Sequence, residues 1–416
     1  MDSITLGEVA DIITGPFGSM LHKSDYRATG IPVIMPQDIG DRTLSLDNIA
    51  RISQQDAERL ARYATTENDI VYARRGDVEK HAFITADEAG ALCGTGCLRV
   101  RVDERKADPL FVSFYLNRPE SRMWIRLHAV GSNMPNINTD ILSELPMELP
   151  DLVVQRKVGK LLRHIDGKIA NNKKLMKELE ETAQLVYDYW FTQFDFPNEN
   201  GRPYRSNGGK MAWNDELKRE IPEGWKASSL SELCGFRNGV NYDKDSMSGS
   251  HCRIVNVRNI TSSTLFINPS ELDEIDLPAN LVKRYSLSSN DILIARSGTP
   301  GAVRLIDEPT SIIFCGFIIC CTPNNSEYRS YLTMALKRLE GTTATVTGGS
   351  ILKNVSQDTL KNVKVVCPPK EVIEQFNAMI NVMLRQIVRI EKESWNLINL
   401  RDWLLPMLMN GQLVVG

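Results

Sequence analysis

Two textures of hydrophobic and polar positions alternate along the chain. In residues 1–151 and 225–369 the apolar runs are short, β-branched and punctuated by Gly, Pro and Asn, a pattern that predicts strands with a few helices between them. After each stretch the period lengthens. From Val158 the apolar positions step by four and three through Leu162, Ile165, Ile169, Met176, Leu179, Ala183, Val186 and Trp190, which is the spacing of a heptad seam. Its one polar position is Asn172, either a residue that gives up stability to fix register or a tolerated surface Asn in a slightly different register. A second seam runs through Phe376, Ile380, Met383, Ile387, Ile390, Leu397 and Leu404, interrupted by Ser394 and Arg401. Pro406 is expected to end or kink this helix. Each helix should span about 30 to 40 residues, or roughly 45 to 60 Å. No neighbouring domain can bury so long a stripe throughout, so the two helices are expected to bury each other.

The strand-rich stretches are copies of one another. "ENDIVYARRG" (67–76) returns as "SNDILIARSG" (289–298), "LGEVADIITGPFGSM" (6–20) as "LSELCGFRNGVNYDKDSM" (230–247), and "GIPVIMPQDI" (30–39) as "HCRIVNVRNI" (251–260). "GSNMPNINTDILSELPMELP" (131–150) parallels "GGSILKNVSQDTLKNVKVVCP" (348–368) in the same order. Repeats of this size are whole domains. "DIVYAR" and "DILIAR" read as buried strands ending in a turn that carries Arg74 or Arg296. The predicted segments are a first β-rich domain (1–151), a first long helix (152–194), a linker rich in Pro, Gly, Asn and charge (195–224), a second β-rich domain (225–369), and a second long helix with the C-terminal tail (370–416).

Composition narrows the function. At 416 residues, with 42% hydrophobic and 24% charged residues, the chain fits two soluble domains plus connecting elements. No apolar run reaches bilayer length and "MDSITLGEVA" lacks the signal-peptide pattern, so a cytoplasmic protein without membrane contact is expected. A net charge of −3 argues against gripping nucleic acid by bulk charge alone, though not against a reader whose phosphate contacts come partly from a partner. The eight cysteines fall mostly in apolar runs such as "SIIFCGFIICC" and read as buried free thiols. "CGTGC" (93–97) finds no second pair or His cluster to complete a metal site, so no metal and no cofactor are expected. The sequence holds no Walker A motif, no Gly-rich cofactor turn and no Asp/Asn-Pro-Pro-aromatic loop. "GTPGAV" (298–303) is better read as a hairpin turn, and "DPLF" (108–111) lacks the second proline. The chain is expected to be non-catalytic.

The order domain, long helix, linker, domain, long helix resembles the specificity subunit of type I restriction-modification systems. The phrases "LVYDYWFTQFDFPNENGRPY", "SNGGKMAWNDELKREIPEGW", "NDILIARSGTPGAV" and "LRDWLLPMLMNGQL" carry the resemblance, which covers essentially the whole chain. It implies an α+β fold in which two β-rich mixed α/β target recognition domains are separated by two long helices. Those helices would form an antiparallel coiled coil with internal pseudo-two-fold symmetry. It further implies that each domain reads one half of an asymmetric bipartite site in double-stranded DNA. The helices would set the half-site spacing and dock two methyltransferase subunits. A restriction/translocase subunit stays open as a further partner, and adenine is the base implied for methylation.

For base readout the candidates are polar, planar or basic side chains on Gly-bearing loops, since these make bidentate contacts to base edges. In the first domain they are Ser19, His22, Lys23, Gln37, Arg74, Arg75, Lys80, His81, Ser132 and Asn133. Their counterparts are Arg237, Asn238, Asn241, Lys244, Arg258, Asn259, Arg296, Ser297, Ser350 and Lys353. Arg74 and Arg296 have a second reading, as buried partners of Asp69 and Asp291. Phe17 stands between a DNA-stacking ring and a loop anchor. Two rival functions stay open: a coiled-coil adaptor displaying two β-rich modules to non-DNA ligands, and a self-sufficient methyltransferase with a degenerate cofactor loop.

Overall fold

A computed structural model of the chain describes residues 3–131, 134–242, 249–340, 355–409 and 412–413. The chain divides into two compact units, residues 1–169 with 396–416, and residues 170–395. In the first, a five-stranded sheet runs in the order Ala10–Thr14, Cys97–Val102, Ile70–Ala73, His81–Phe83, Asp41–Arg42. A four-stranded sheet follows the order Tyr26–Arg27, Ala50–Ile52, Ile31–Ile34, Leu92–Cys93. All four residues of Ile70–Ala73 are buried, as an apolar run without alternation requires. Ser3–Thr5 pairs with Pro146–Glu148, tying the start of the β-rich domain to its end.

The second unit repeats this plan. Cys234–Asn238, Ile318–Pro323, Ile292–Ala295 and Val303–Arg304 form one sheet, and Asp273–Leu277, Ser250–Val255 and Ile312–Phe314 the other. Lys226–Ser229 pairs with Lys364–Cys367. Even the odd parallel pair recurs, Ile31–Ile34 with Leu92–Cys93 in one unit and Ser250–Val255 with Ile312–Phe314 in the other. The written repeat is therefore a repeat of strand order and register, and the fold class is α+β. "GTPGAV" closes the hairpin between Ile292–Ala295 and Val303–Arg304.

The long helices are Leu152–Tyr187, continued by a π-helical turn to Thr192, and Lys370–Met409. Within the first unit Val158 and Leu162 share a core with Leu405, Leu408 and Met409, while Arg401 Nη1 donates to Asp166 Oδ1 at 2.9 Å. Within the second, Met176 and Ala183 share a core with Ile380, Leu384, Ile387 and Ile390. Asn172 Nδ2 donates there to Glu393 Oε2 at 2.9 Å and Ser394 Oγ at 3.1 Å, and the rings of Tyr187 and Phe376 lie 6.4 Å apart. In each unit numbers rise on one helix as they fall on the other, so the pairing is antiparallel. Asn172 is 3% exposed, which rules out the surface-Asn reading. Val158, Leu162, Ile165, Met176, Ile380, Ile387 and Ile390 are buried with it. Ile169, Leu179, Val186, Met383 and Leu397 are half-buried. Leu384, off the predicted spacing, is also buried because the second helix packs on more than the seam.

Two local expectations change. The second helix does not end at Pro406 but continues to Met409, where burial of Leu405, Leu408 and Met409 offsets the backbone bond that proline removes. The stretch 195–224, read as a linker, is folded. Met211–Asn214 and Arg219–Pro222 form a hairpin, Phe196 stacks on Tyr204 and Trp225 at 4.7 and 4.9 Å, and Asp195 accepts bonds from Ser206 N and Oγ. A few aromatic rings supply burial that its polar composition conceals. All eight cysteines are free, seven of them buried and Cys367 half-buried. Among the described residues no helix is long and apolar enough to cross a membrane.

Candidate nucleic-acid interface

In each unit, loops gather at one end of the larger sheet. In the first unit Ala10–Thr14 and Ile70–Ala73 end there and Cys97–Val102 begins there, with Leu98 opposite Thr14 and Cys97 opposite Ala73. Gly15 lies flush against the turn before Cys97, and a Cβ on it would sit 2.1 Å from the Gly94 carbonyl oxygen. Only glycine fits. Thr95 Oγ1 donates to the Pro16 carbonyl at 2.9 Å. Arg74 is held by its backbone on both sides: its N–H donates to Gly96 O at 2.8 Å and its carbonyl accepts from Ile137 N at 3.0 Å.

The second unit rebuilds the glycine contact of this corner and both backbone bonds of its arginine. A Cβ on Gly239 would meet Cys315 O at 2.2 Å. Arg296 N–H donates to Phe317 O at 3.0 Å, and the Arg296 carbonyl accepts from Val355 N at 3.0 Å. Here the corner encloses a pocket of about 330 Å³ lined by Asn238, Gly239, Asn241, Arg296, Gly316 and Phe317. Arg296 Nη1 donates to Gly316 O at 3.2 Å. A Cβ on Gly316 would sit 1.9 Å from Asn241 Oδ1, so any larger residue there would displace the Asn241 side chain. Asn and Arg at the mouth of such a pocket supply the donors and acceptors that match base edges.

Asp69 and Asp291 do not pair with Arg74 and Arg296. Asp69 accepts from Arg101 Nη2 at 2.7 Å and Thr66 N at 2.7 Å, and Asp291 accepts from Arg237 Nη2 at 2.8 Å and Ser288 N at 2.8 Å. These nearly buried carboxylates hold another strand of their sheet, Cys97–Val102 in the first unit and Cys234–Asn238 in the second, and leave both turn arginines out of the ion pair. Arg237, grouped above with the base readers, is thereby part of the frame. It also donates to the carbonyls of Arg284 and Ser286 at 3.1 and 2.9 Å.

Other candidates sort by burial. His81 is fully buried with Nε2 3.1 Å from both Ser113 O and Oγ, and burial lowers its pKa to about 3, so a neutral ring fills the core and cannot reach a ligand. Asn259, 3% exposed, caps its own helix by accepting from Asn256 N at 2.8 Å. Arg258 pairs with Asp273, and Lys80 with Asp77 at 2.8 Å. Ser19, His22, Lys23, Gln37, Arg75 and Asn241 are exposed on loops and short helical turns and Asn238 at the end of its strand, while Arg74, Arg296 and Ser297 are half-buried. Ser132, Asn133, Lys244, Ser350 and Lys353 lie outside the described residues. Phe317 went unnoticed because "SIIFCGFIICC" reads as one buried strand; Gly316 was the available signal of a turn.

The family model of the type I restriction modification DNA specificity domain matches residues 1–181 and 222–399. The MjaIX type I restriction enzyme specificity subunit of Methanocaldococcus jannaschii is 25% identical over 294 residues, 68% of this chain and 64% of its own length. The HindI specificity subunit of Haemophilus influenzae is 20% identical over 413 residues, covering 86% of this chain and 89% of that protein. The chain thus spans just under two thirds of the first relative and most of the second. A crystal structure of the type I restriction-modification S subunit from M. genitalium shares the fold with a TM-score of 0.58 at 16% identity, covering 98% of this chain and 95% of that one. With its specificity domain matched twice, this chain belongs to the type I restriction-modification specificity-subunit family.

Proposed function

We propose that the chain is the address-reading component of a type I restriction-modification complex and performs no chemistry of its own. Domain 1–151 reads one half of a bipartite site in duplex DNA and domain 225–369 the other. The helical segments 152–194 and 370–416 set the distance between half-sites and dock two methyltransferase subunits. One observation carries this reading: the same glycine-and-backbone corner is built twice and filled with different polar side chains, as two readers of unlike half-sites require. Of the candidates, Ser19, His22, Lys23, Gln37, Arg74 and Arg75 remain for the first reader, and Asn238, Asn241, Arg296 and Ser297 for the second. The acidic balance of the chain fits a reader that shares its phosphate contacts with partners.

The test is a map of methylated motifs made by the chain assembled with its methyltransferase, before and after residues 1–151 are exchanged for those of a relative. The expected result is that one half-site changes and the other does not. An assembled complex that does not distinguish cognate from scrambled duplex would overturn the reading in favour of a non-DNA adaptor.

A further inference from the structure

Resting on that reading, we propose that Phe17 and Phe317 are the aromatic wedges of the two readers, each entering duplex DNA at its half-site and unstacking one base step. The chain has twelve phenylalanines, all among the described residues. Ten are buried or half-buried, and the two exceptions are Phe17 at 61% and Phe317 at 62% exposure. Both stand at the corner described above. Single exposed apolar residues are common and need no explanation. Two from one residue type, at the matching corner of both units, do.

The rings arrive by different routes. Phe17 follows Gly15-Pro16 on the loop that leaves the first strand, where the second unit has Gly239-Val240-Asn241. Phe317 sits on the facing turn, at the position whose carbonyl accepts the turn arginine's N–H, where the first unit has Gly96. Each corner therefore presents one ring, and the place that holds the ring in one unit holds Asn or Gly in the other. Neither ring is needed to shape its loop. Met20 N donates to Phe17 O at 2.8 Å and Thr95 to Pro16 O, while Gly316 N donates to Val240 O at 2.8 Å and Arg296 N to Phe317 O. The backbone is thus fixed while the ring stays in water as a preorganised apolar surface, and Phe317 shares the lining of its pocket with Arg296. A base step offers such a ring a flat apolar face on which to stack, and the neighbouring arginine a phosphate or base edge.

The test uses the chain assembled with its methyltransferase on the target defined by methylation mapping, with 2-aminopurine placed in turn along each half-site. Binding should raise the fluorescence at one step in each half-site. Phe17→Ala should abolish the rise only in the half-site assigned by exchange of residues 1–151, and Phe317→Ala only in the other, each with about 10-fold or greater loss of affinity. Phe→Trp at either position should keep the signal, and the unfolding midpoint should not move because the rings are exposed. Sequence-specific binding with no fluorescence rise, or a rise that survives both alanines, overturns this inference and leaves the specificity reading intact. Alanine variants that weaken methyltransferase association without DNA overturn it as well. Loss of all sequence preference in the unaltered complex would remove both readings together.

Discussion

The two units share a frame and differ in what they hang on it. Gly15 and Gly239 press on the same turn, Arg74 and Arg296 make the same two backbone bonds, and Asp69 and Asp291 each hold an arginine of their own sheet, though from non-equivalent strands, Arg101 on Cys97–Val102 and Arg237 on Cys234–Asn238. Around that frame the side chains differ, with Phe17 in the place of Asn241 and Gly96 in the place of Phe317. The helix pairs differ in the same spirit. In the first unit Asp166 lies between Arg42 and Arg401, with Arg42 stacked 3.3 Å over the Phe114 ring. In the second, Glu391 is buried against Thr264 near Glu180, and its Oε2 finds no partner among the described residues. Backbone bonds and missing Cβ atoms are indifferent to neighbouring side chains, so they can be copied while the surface they support is rewritten.

The sharpest way to break the equivalence is at its glycines. Gly15→Ala and Gly239→Ala should each destabilise the protein by about 4 kcal/mol, because the added Cβ meets rigid backbone oxygen. Urea unfolding of both variants would show it, and a large cost at only one position would mean the corners are not the same device. Next come the clamps. Asp69→Ala and Asp291→Ala should each cost about 3 kcal/mol by leaving a guanidinium and a turn N–H without their acceptor. Nearly equal losses in thermal or urea unfolding are expected from the two.

The helix carboxyls should diverge in sign. Burial, reinforced by the charge of Glu180 and opposed by the Thr264 hydroxyl, raises the Glu391 pKa from 4.5 to about 7. The folded protein then holds this proton more tightly than the unfolded chain. Stability from this group is complete below about pH 4.5, declines between 4.5 and 7, and is lost above. Glu391→Gln should therefore stabilise by about 2 kcal/mol at pH 8 and by nothing near pH 4. Asp166→Asn should destabilise at pH 8, since it leaves Arg42 and Arg401 without their carboxylate. Unfolding curves at both pH values decide the matter. The smallest effect is expected at the polar seam, where Asn172→Leu should raise the unfolding free energy by about 1 kcal/mol while relaxing register. Light scattering would detect any new oligomeric state, and a loss of stability instead would show that the bonds to Glu393 and Ser394 outweigh the added apolar burial.

Much of the architecture was legible before any coordinates. Periods of two and of three-and-a-half separate heads from helices, the duplicated phrases reveal two copies, and Asn172 marks the register of the seam. Cysteines in apolar runs are buried, as those runs suggest. The candidate interface was legible only as a set of loops. His81 and Asn259 share their residue types with surface readers, yet the first ends in a core and the second in a helix cap. Leu384 and the last turn beyond Pro406 were hidden because their partners come from elements distant in the chain.

Sequence alone determined what is local or duplicated: strand and helix period, domain order, the heptad seam and the loops on which polar residues stand. Tertiary structure alone decided that Asp69 takes Arg101 rather than Arg74, that Asp291 takes Arg237 rather than Arg296, and that Phe317 leaves an otherwise buried run. The physical reason is that periodicity is written in successive residues, whereas the partner of a charge and the exposure of a ring depend on which strand, far away in the chain, comes to lie beside it.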